Sequence, residues 1–360
     1  MTAILDNPAP AAGSTPALLT VGGLSPNQRA WARFKRNRTG YGSLWVMAVL
    51  LVLSVFAELI SNDRPLVARF EGTWSFPVFS NPPETAYGGD FATATDWKDP
   101  FIAAQFAKPG NWALRTLNPH SATSTDYFQK EANPAAPSAK NWLGTDGLGQ
   151  DMVARLLYGF RVSILFGLAL TFVGTVIAVT AGALQGYFGG RIDLTLQRLI
   201  EIWGSIPELY LLIIFASIFE PSLGLLLVLL SLFGWIGLSD YVRAEFLRNR
   251  GLEFVKAGRA LGLSNLQIIW RHVLPNSLTP VITFLPFRMS GAILSLVALD
   301  FLGLGVPPSV PSLGDLVKQG KANLDSWWII FPTFAVLVIT LLLLTFIGDA
   351  LRDAFDTRKS

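Results

Sequence analysis

The chain has 360 residues, of which 51% are hydrophobic and only 15% are charged, and its formal net charge is +3. Soluble domains average about a quarter charged residues, so this deficit indicates that much of the chain is surrounded by something other than water. The absence of cysteine and the presence of only two histidines exclude disulfides, thiolate metal centres, cysteine nucleophiles and histidine-rich metal sites.

Six apolar segments are long enough to cross a bilayer, whose hydrocarbon core of roughly 30 Å needs about 20 mostly apolar helical residues. They are residues 42–60, 162–186, 196–219, 222–238, 277–305 and 327–347. The first 40 residues are rich in Pro and Ala and then basic, so we expect no cleaved signal peptide. One such segment could be a buried helix of a soluble core, but six together predict an all-α integral membrane protein with six transmembrane helices.

Basic residues predict the orientation, because short cytoplasmic loops carry an excess of Lys and Arg. The cytoplasmic segments are predicted to hold Arg29, Arg33, Lys35, Arg36, Arg38, Arg191, Arg198, Arg243, Arg248, Arg250, Lys256, Arg259, Arg271, Arg352, Arg358 and Lys359. Two short loops on the other side hold only Lys318 and Lys321. We therefore expect both termini in the cytoplasm, as tails of residues 1–41 and 349–360, flanking a first helix at 42–60 and a five-helix core at 159–348.

The segment 61–158 is then extracytoplasmic. It is balanced in sign, with eight Lys or Arg and ten Asp or Glu, and it is rich in Pro and Gly. Its aromatic residues are too many for pure disorder: Trp74, Phe76, Phe79, Tyr87, Trp97, Phe101, Trp112 and Trp142. We predict a small, loop-rich extracytoplasmic insert between helices 1 and 2.

Residues 251–276, GLEFVKAGRALGLSNLQIIWRHVLPN, lie between the fourth and fifth spans and predict two short amphipathic helices at an angle. Helical spacing places Phe254, Ala257, Gly258 and Leu261 on one face of the first. Gly262 is expected to end this helix, since glycine tolerates positive φ. We call residues 251–276 the docking segment.

The second helix of the docking segment is expected to begin at a capping box formed by Ser264 and Gln267, and Pro275 is expected to end it. Its apolar face comprises Leu266, Ile269, Trp270 and Val273. Such a pair can lie on the bilayer as a passive linker, form an ordinary loop, or insert into a groove of a soluble partner. The residues alone leave these alternatives open.

The docking segment resembles the EAA loop of ABC importer permeases. The resemblance rests on Ala257-Gly258-x-x-x-Gly262 followed by His272-Val273-Leu274-Pro275-Asn276, an ending similar to that of peptide importers. Two positions depart from the motif, with Lys256 at its acidic position and Gly258 at its second alanine. The resemblance implies a coupling helix that docks on an ATPase, through Phe254, Lys256, Ala257, Gly258, Gly262, Ser264, His272, Leu274 and Pro275.

Further motifs are similar to the C-type permeases of dipeptide and oligopeptide importers. They are residues 141–151 with Arg155, Tyr158, Gly159 and Arg161, and residues 186–193, 205–207 and 301–305. Residues 25–38 and the long insert resemble the E-type permeases of Yej importers, which take up oligopeptides and microcin C in Gram-negative bacteria. The resemblance covers residues 25–356.

The resemblance implies a type I permease core in the bacterial inner membrane that translocates oligopeptides. It also implies a second homologous permease, ABC ATPase subunits or a fused double ATPase, and an extracytoplasmic peptide-binding protein. ATP and Mg would be used by the ATPase, and we expect this chain to bind no cofactor or nucleic acid and to be no enzyme. An ion channel or secondary carrier would favour inverted repeats and midplane ion ligands, and an intramembrane enzyme needs a catalytic constellation; neither pattern is evident in the sequence.

Charged residues within spans are functional candidates, because their burial in a bilayer is costly. Glu208 follows Pro207 in the third span, and Arg288 follows Pro286 in the fifth. Proline removes a backbone donor and kinks helices, so we predict that these four residues lie along a translocation path. The alternatives are charges at a span boundary, or structural ion pairs of Arg288 with Glu208 or Asp300.

Two further patterns have structural interpretations. Asp300 and Glu58 lie near the outer ends of their spans and are expected at the membrane interface. Ala178, Gly182 and Gly186 form a small-residue stripe that permits close helix contact, and we expect this contact to lie within the subunit.

Overall fold

A computed structural model describes residues 26–125 and 131–356. Ser25 of the N-terminal motif and the basic residues Arg358 and Lys359 lie outside the described residues. The helices are α1 Pro26–Arg36, α2 Arg38–Val55, α3 Ala57–Ile60, α4 Pro100–Phe106, α5 Met152–Phe188, α6 Gly190–Gly204, α7 Glu208–Ile218, α8 Leu223–Ser231, α9 Ile236–Asn249, α10 Glu253–Ala260, α11 Asn265–Ile268, α12 Leu274–Ser277, α13 Thr279–Leu302, α14 Leu313–Ala322 and α15 Trp327–Phe355. The strands are β1 Val67–Phe70, β2 Thr73–Ser75 and β3 Trp112–Leu114.

The described chain has four helices that are long and apolar enough to cross a membrane, namely α2, α5, α13 and α15. Two bent pairs, α6 with α7 and α8 with α9, raise the number to six if each pair is one crossing. Each of the six predicted apolar segments falls on one of these helices or pairs. The helical architecture therefore agrees with the prediction, with four to six candidate spans.

Two spans are broken, and proline accounts for one break. The axes of α6 and α7 differ by 62° across residues 205–207, where Pro207 has an extended backbone and precedes the first residue of α7. The predicted kink is thus a complete interruption of the helix. The axes of α8 and α9 differ by 42°, and this break, near Gly234, was not predicted.

Helix boundaries differ from the predicted ones where polar side chains cap the first turn. Asn37 accepts a hydrogen bond from the backbone N–H of Gly40 at 3.0 Å, so α2 begins at Arg38. Asp151 accepts one from Ala154 N–H at 2.9 Å, so α5 begins at Met152, inside the segment assigned to the insert. At the other end, α15 continues to Phe355, well into the predicted C-terminal tail.

The N-terminal tail contains a helix that was not predicted. Phe34 of α1 is buried against Ala350 and Ala354 of α15, and the Arg33 guanidinium donates a hydrogen bond to the carbonyl of Asp356 at 3.0 Å. The two ends of the described chain are therefore packed together.

Helix α5 is the central packing element of the fold and contacts α9 and α13. Added Cβ atoms at Gly182 and Gly186 would lie 2.5 Å from Ser239 O and 2.6 Å from Arg243 O of α9, respectively. Only residues without a side chain permit this approach. The small-residue stripe therefore packs within the subunit, as predicted.

The insert is largely irregular, as predicted, but it also contains a small sheet. Strand β1 pairs antiparallel with β2 and β3 to form a sheet in the order β2-β1-β3. Ala68, Tyr87, Trp97 and Ile102 form a small buried core beside it. The other predicted aromatics are exposed or half-buried, Phe79 most of all at 81%. The insert thus has its own core, to which Tyr87 and Trp97 contribute out of the eight aromatic residues named above.

Candidate docking surface and membrane cavity

The turn of the docking segment is formed as its local chemistry predicts. Gly262 has φ +77°, and Leu263 N–H donates to Gly258 O at 3.1 Å, which closes the end of α10 in a Schellman motif. Ser264 and Gln267 form the predicted capping box at the start of α11. The prediction of two short helices separated at Gly262 is confirmed.

The second helix does not end at Pro275, contrary to the prediction. A π turn at Ile269–Val273 joins α11 to α12, which contains Pro275 and continues to Ser277. Within this wider turn, Leu274 N–H bonds to Ile269 O, and the changed hydrogen-bond pattern accommodates a residue that has no N–H to donate.

The predicted apolar faces are divided between the inside and the outside. Gly258 is buried, whereas Phe254, Ala257 and Leu261 are exposed, because α10 packs inward through Val255 and Gly258. Similarly, Val273 is buried while Leu266 and Trp270 are exposed. In the second helix the π turn alters the helical phase between Leu266 and Val273. The two predicted faces are therefore not uniformly exposed, since Gly258 and Val273 are turned inward.

The inward residues attach the docking segment to the membrane helices. Val255, Ile268 and Val273 pack in one cluster with Tyr187 of α5 and Phe246 of α9. Two polar contacts reinforce the attachment: Tyr187 Oη with Asn265 Oδ1 at 2.9 Å, and Arg259 over the Tyr187 ring at 5.5 Å. The residues that flank the segment are also joined, since Asn249 Nδ2 donates to Ser277 Oγ at 2.8 Å. The segment is therefore anchored to α5, α9 and the start of α13.

The outward residues form an apolar surface that nothing in the described chain covers. Leu261 is 81% exposed and Trp270 is 65% exposed, and Phe254 and Leu266 lie on the same two helices. Lys256, which replaces the acidic residue of the motif, forms an ion pair with Glu253 at 2.8 Å. Of the other motif residues, Pro275 is exposed, and His272 and Leu274 are half-buried. The geometry is that of an anchored pair of helices presenting large apolar side chains outward.

The two predicted path charges lie at one cavity. Glu208 is the first residue of α7, and Arg288 lies in α13, two residues after Pro286. Both line a space of about 210 Å³ beside α5, which we call the membrane cavity. Arg288 Nη2 donates to Gly234 O at 2.9 Å. Within residues 26–125 and 131–356, no ion pair joins Arg288 to Glu208 or Asp300, so the structural ion pair is not formed.

Of the two charges expected at the interface, one is deeply buried. Asp300 accepts hydrogen bonds from Val306 N–H at 2.8 Å and from Ser312 Oγ, and thereby fixes the loop between α13 and α14. Glu58 is half-exposed and forms an ion pair with Arg161 at 2.8 Å. The loop 303–312 folds over Asp300 and supplies both donors.

Arg155 is the centre of a buried polar network, a role that the sequence did not indicate. Its side chain is 1% exposed and lies 2.8 Å from Asp315 of α14 and 3.5 Å from the fully buried Asp146 of the insert. It also donates to Gln150 Oε1 at 2.6 Å. The network joins α5, α14 and the insert.

Residues 157–360 match the family described as binding-protein-dependent transport system inner membrane component, and residues 25–74 match the N-terminal TM domain of oligopeptide transport permease C. The chain belongs to this family of transport permeases. The permease is 48% identical to the inner membrane ABC transporter permease protein YejE of Escherichia coli K12, over 94% of this chain and 99% of that protein.

Two other relatives extend the comparison. The permease is 46% identical to the peptidoglycan transport system permease protein YejE of Agrobacterium fabrum, over 92% of this chain and 93% of that protein. It is 31% identical to the dipeptide transport system permease protein DppC of Lactococcus lactis, over 94% of this chain and 92% of that protein. The alignments with these permeases therefore cover almost the whole length of the chain.

Proposed function

We propose that this permease is one of two membrane subunits of an ATP-driven importer that moves oligopeptides across the bacterial inner membrane. The observation that carries the proposal is the anchored docking segment with its uncovered apolar surface. The names of the relatives, which include a dipeptide and a peptidoglycan transport permease, support peptides and peptide-bearing cell-wall fragments as cargo. The Yej-type resemblance adds microcin C to the candidates.

An ATPase is the partner that the docking surface fits. Burial of a large apolar side chain such as Leu261 or Trp270 stabilises an interface by about 1.5–3 kcal/mol, and amphipathic helices that present such residues dock into grooves of soluble partners. Because the inward face of the segment is attached to α5 and α9, movement of a bound ATPase is transmitted to the membrane helices. The spans then alternate between two packed arrangements.

Two further partners complete the proposal. A second homologous permease pairs with this one around the path, and an extracytoplasmic binding protein delivers peptide to the insert, whose exposed aromatics, such as Phe79 and Trp142, are a residue type enriched at interfaces. The ATPase is either two subunits or one fused double subunit.

Replacing Leu261 with glutamate is expected to uncouple the importer. Leu261 is 81% exposed in the described chain, and in the complex the glutamate would be buried in the ATPase groove without a partner. We therefore expect peptide-stimulated ATP hydrolysis and peptide uptake to fall by about tenfold or more. Assembly of the permease pair in the membrane is expected to persist. The measurement is ATPase activity and labelled-peptide uptake of the complete complex in proteoliposomes.

Leu324→Glu is the matched control, because Leu324 is 78% exposed but lies far along the chain from the docking segment. It is expected to leave both activities within a factor of about two, since exposed substitutions away from special features have small effects. Normal coupling in Leu261→Glu would remove the docking assignment.

Orientation can be tested in this cysteine-free chain. A single cysteine at Phe79 of the insert is expected to react with a membrane-impermeant maleimide applied to spheroplasts, because the insert is proposed to face outward. A single cysteine at Leu261, equally exposed at 81%, is expected to react only after the inner membrane is opened, in cells that lack the ATPase subunits, since a docked ATPase would cover this position. The reverse pattern of labelling would show that the proposed orientation is wrong.

A further inference from the structure

We propose that the membrane cavity is a site for the free carboxylate of a peptide cargo, with Arg288 as the residue that binds it. This inference rests on the proposed function, since it requires that peptides pass this wall of the permease. It adds a chemical preference among cargoes, namely for an unblocked C-terminus.

Arg288 has unused donor capacity. A guanidinium has five N–H donors, and one hydrogen bond, from Nη2 to Gly234 O at 2.9 Å, is formed in the described chain. Its Nε is buried without a hydrogen-bond partner. A cation in a membrane span is costly unless it is paired. Glu208 lines the same cavity but forms no ion pair with Arg288 among the described residues, so the guanidinium can accept a further anionic partner.

A second polar group of the same cavity also lacks a partner. Thr171 Oγ1 of α5 is buried and unpaired among the described residues, and Thr171 and Arg288 both line the cavity. A hydroxyl donates one hydrogen bond, and a guanidinium offers two parallel donors to a carboxylate. Together they provide donors for both oxygens of a carboxylate.

The size of the cavity selects an end group and not a whole peptide. Its volume of about 210 Å³ is below the roughly 300–1,000 Å³ of sites that enclose drug-sized molecules. It is large enough for a carboxylate with some water, since one water occupies about 30 Å³. Glu208 lines the same space, and its proximity weakens the binding of an anion, which suits a site from which cargo must leave.

The position of Arg288 depends on a glycine. A Cβ atom at Gly174 of α5 would lie 2.8 Å from Arg288 Nη2, which is closer than Cβ atoms approach other atoms, so even alanine would displace the guanidinium. Gly174→Ala therefore moves the guanidinium of Arg288 while leaving its charge in the membrane.

The test compares uptake of one labelled tripeptide as its free acid and as its C-terminal amide by the complete complex in proteoliposomes. The wild type is expected to prefer the acid about tenfold, which corresponds to one charge-assisted interaction. Arg288→Gln is expected to lower this ratio to about one by slowing uptake of the acid. Gly174→Ala is expected to give an intermediate ratio. Arg161→Gln is the control, because Arg161 is paired with Glu58, and it is expected to retain the wild-type ratio.

An unchanged ratio in Arg288→Gln would overturn the inference, as would a wild type that takes up acid and amide equally. If Arg288→Gln fails to assemble, Gly174→Ala decides, and an unchanged ratio in that variant overturns the inference. A wild type that transports neither peptide contradicts the proposed function itself, which distinguishes the two failures.

Discussion

Arg155→Met is expected to destabilise the permease by about 3–5 kcal/mol, because removal of one partner from a buried ion pair leaves an uncompensated charge. Asp146, which is 0% exposed, would keep its carboxylate without the guanidinium 3.5 Å away. Asp315 would lose its contact at 2.8 Å, which holds α14 against α5. We expect a low yield of assembled complex and a lower temperature of thermal unfolding in detergent.

Two further variants separate this effect from a general loss of packing. Adding Asp146→Asn and Asp315→Asn to Arg155→Met removes the uncompensated charges and is expected to restore much of the lost stability. Arg161→Met is the matched control, since its partner Glu58 is 43% exposed and such pairs contribute about 0–1 kcal/mol. Equal effects of Arg155→Met and Arg161→Met would show that the buried network has no special role.

Gly182→Ile is expected to weaken both the assembly of the complex and its coupling to ATP hydrolysis. An added Cβ at Gly182 would lie 2.5 Å from Ser239 O and 2.9 Å from Arg243 N. These are backbone atoms that cannot rotate away, so α9 must move from α5. Overpacking of a well-packed interior costs about 1–3 kcal/mol and occasionally more. Because α9 leads directly into the docking segment, we also expect weaker peptide-stimulated ATP hydrolysis in whatever complex assembles.

Gly237→Ala is the control for this substitution, because Gly237 also lies in a membrane helix but its added Cβ would have no neighbour within 4 Å. Its higher helix propensity is expected to stabilise the fold by up to about 1 kcal/mol. Thermal unfolding and ATPase assays of both variants are the measurement. A Gly182→Ile complex as stable as Gly237→Ala would contradict the assigned packing.

The membrane architecture was largely predictable, whereas its boundaries were less so. Long apolar segments indicate spans directly, since the bilayer sets their length. The first turns were missed because a single capping side chain, such as Asn37 or Asp151, extends a helix beyond its apolar residues. The break at Pro207 follows from proline chemistry, but the break near Gly234 has no comparably specific signal.

The docking segment shows the limit of local reasoning. Gly262 and the Ser264–Gln267 capping box were predicted because they depend only on neighbouring residues. The buried face of the segment was not predicted, because both of its sides carry apolar residues. In the second helix the π turn also alters the helical phase. The partners of Arg155 could not be found either, since Asp315 is 160 residues away along the chain.

The length of α5 has a mechanical consequence. It is one continuous helix of 37 residues without proline, and at a rise of 1.5 Å per residue it is about 55 Å long. Tyr187 near one end is bonded to the docking segment, and Arg155 near the other is bonded to α14 and the insert. A rod of this length that tilts by only about 5° around one end displaces the other by about 5 Å, roughly one helical turn. If the docking segment acts as proposed, a small change of tilt there would shift the opposite end of α5 far enough to separate side chains in the Arg155 network.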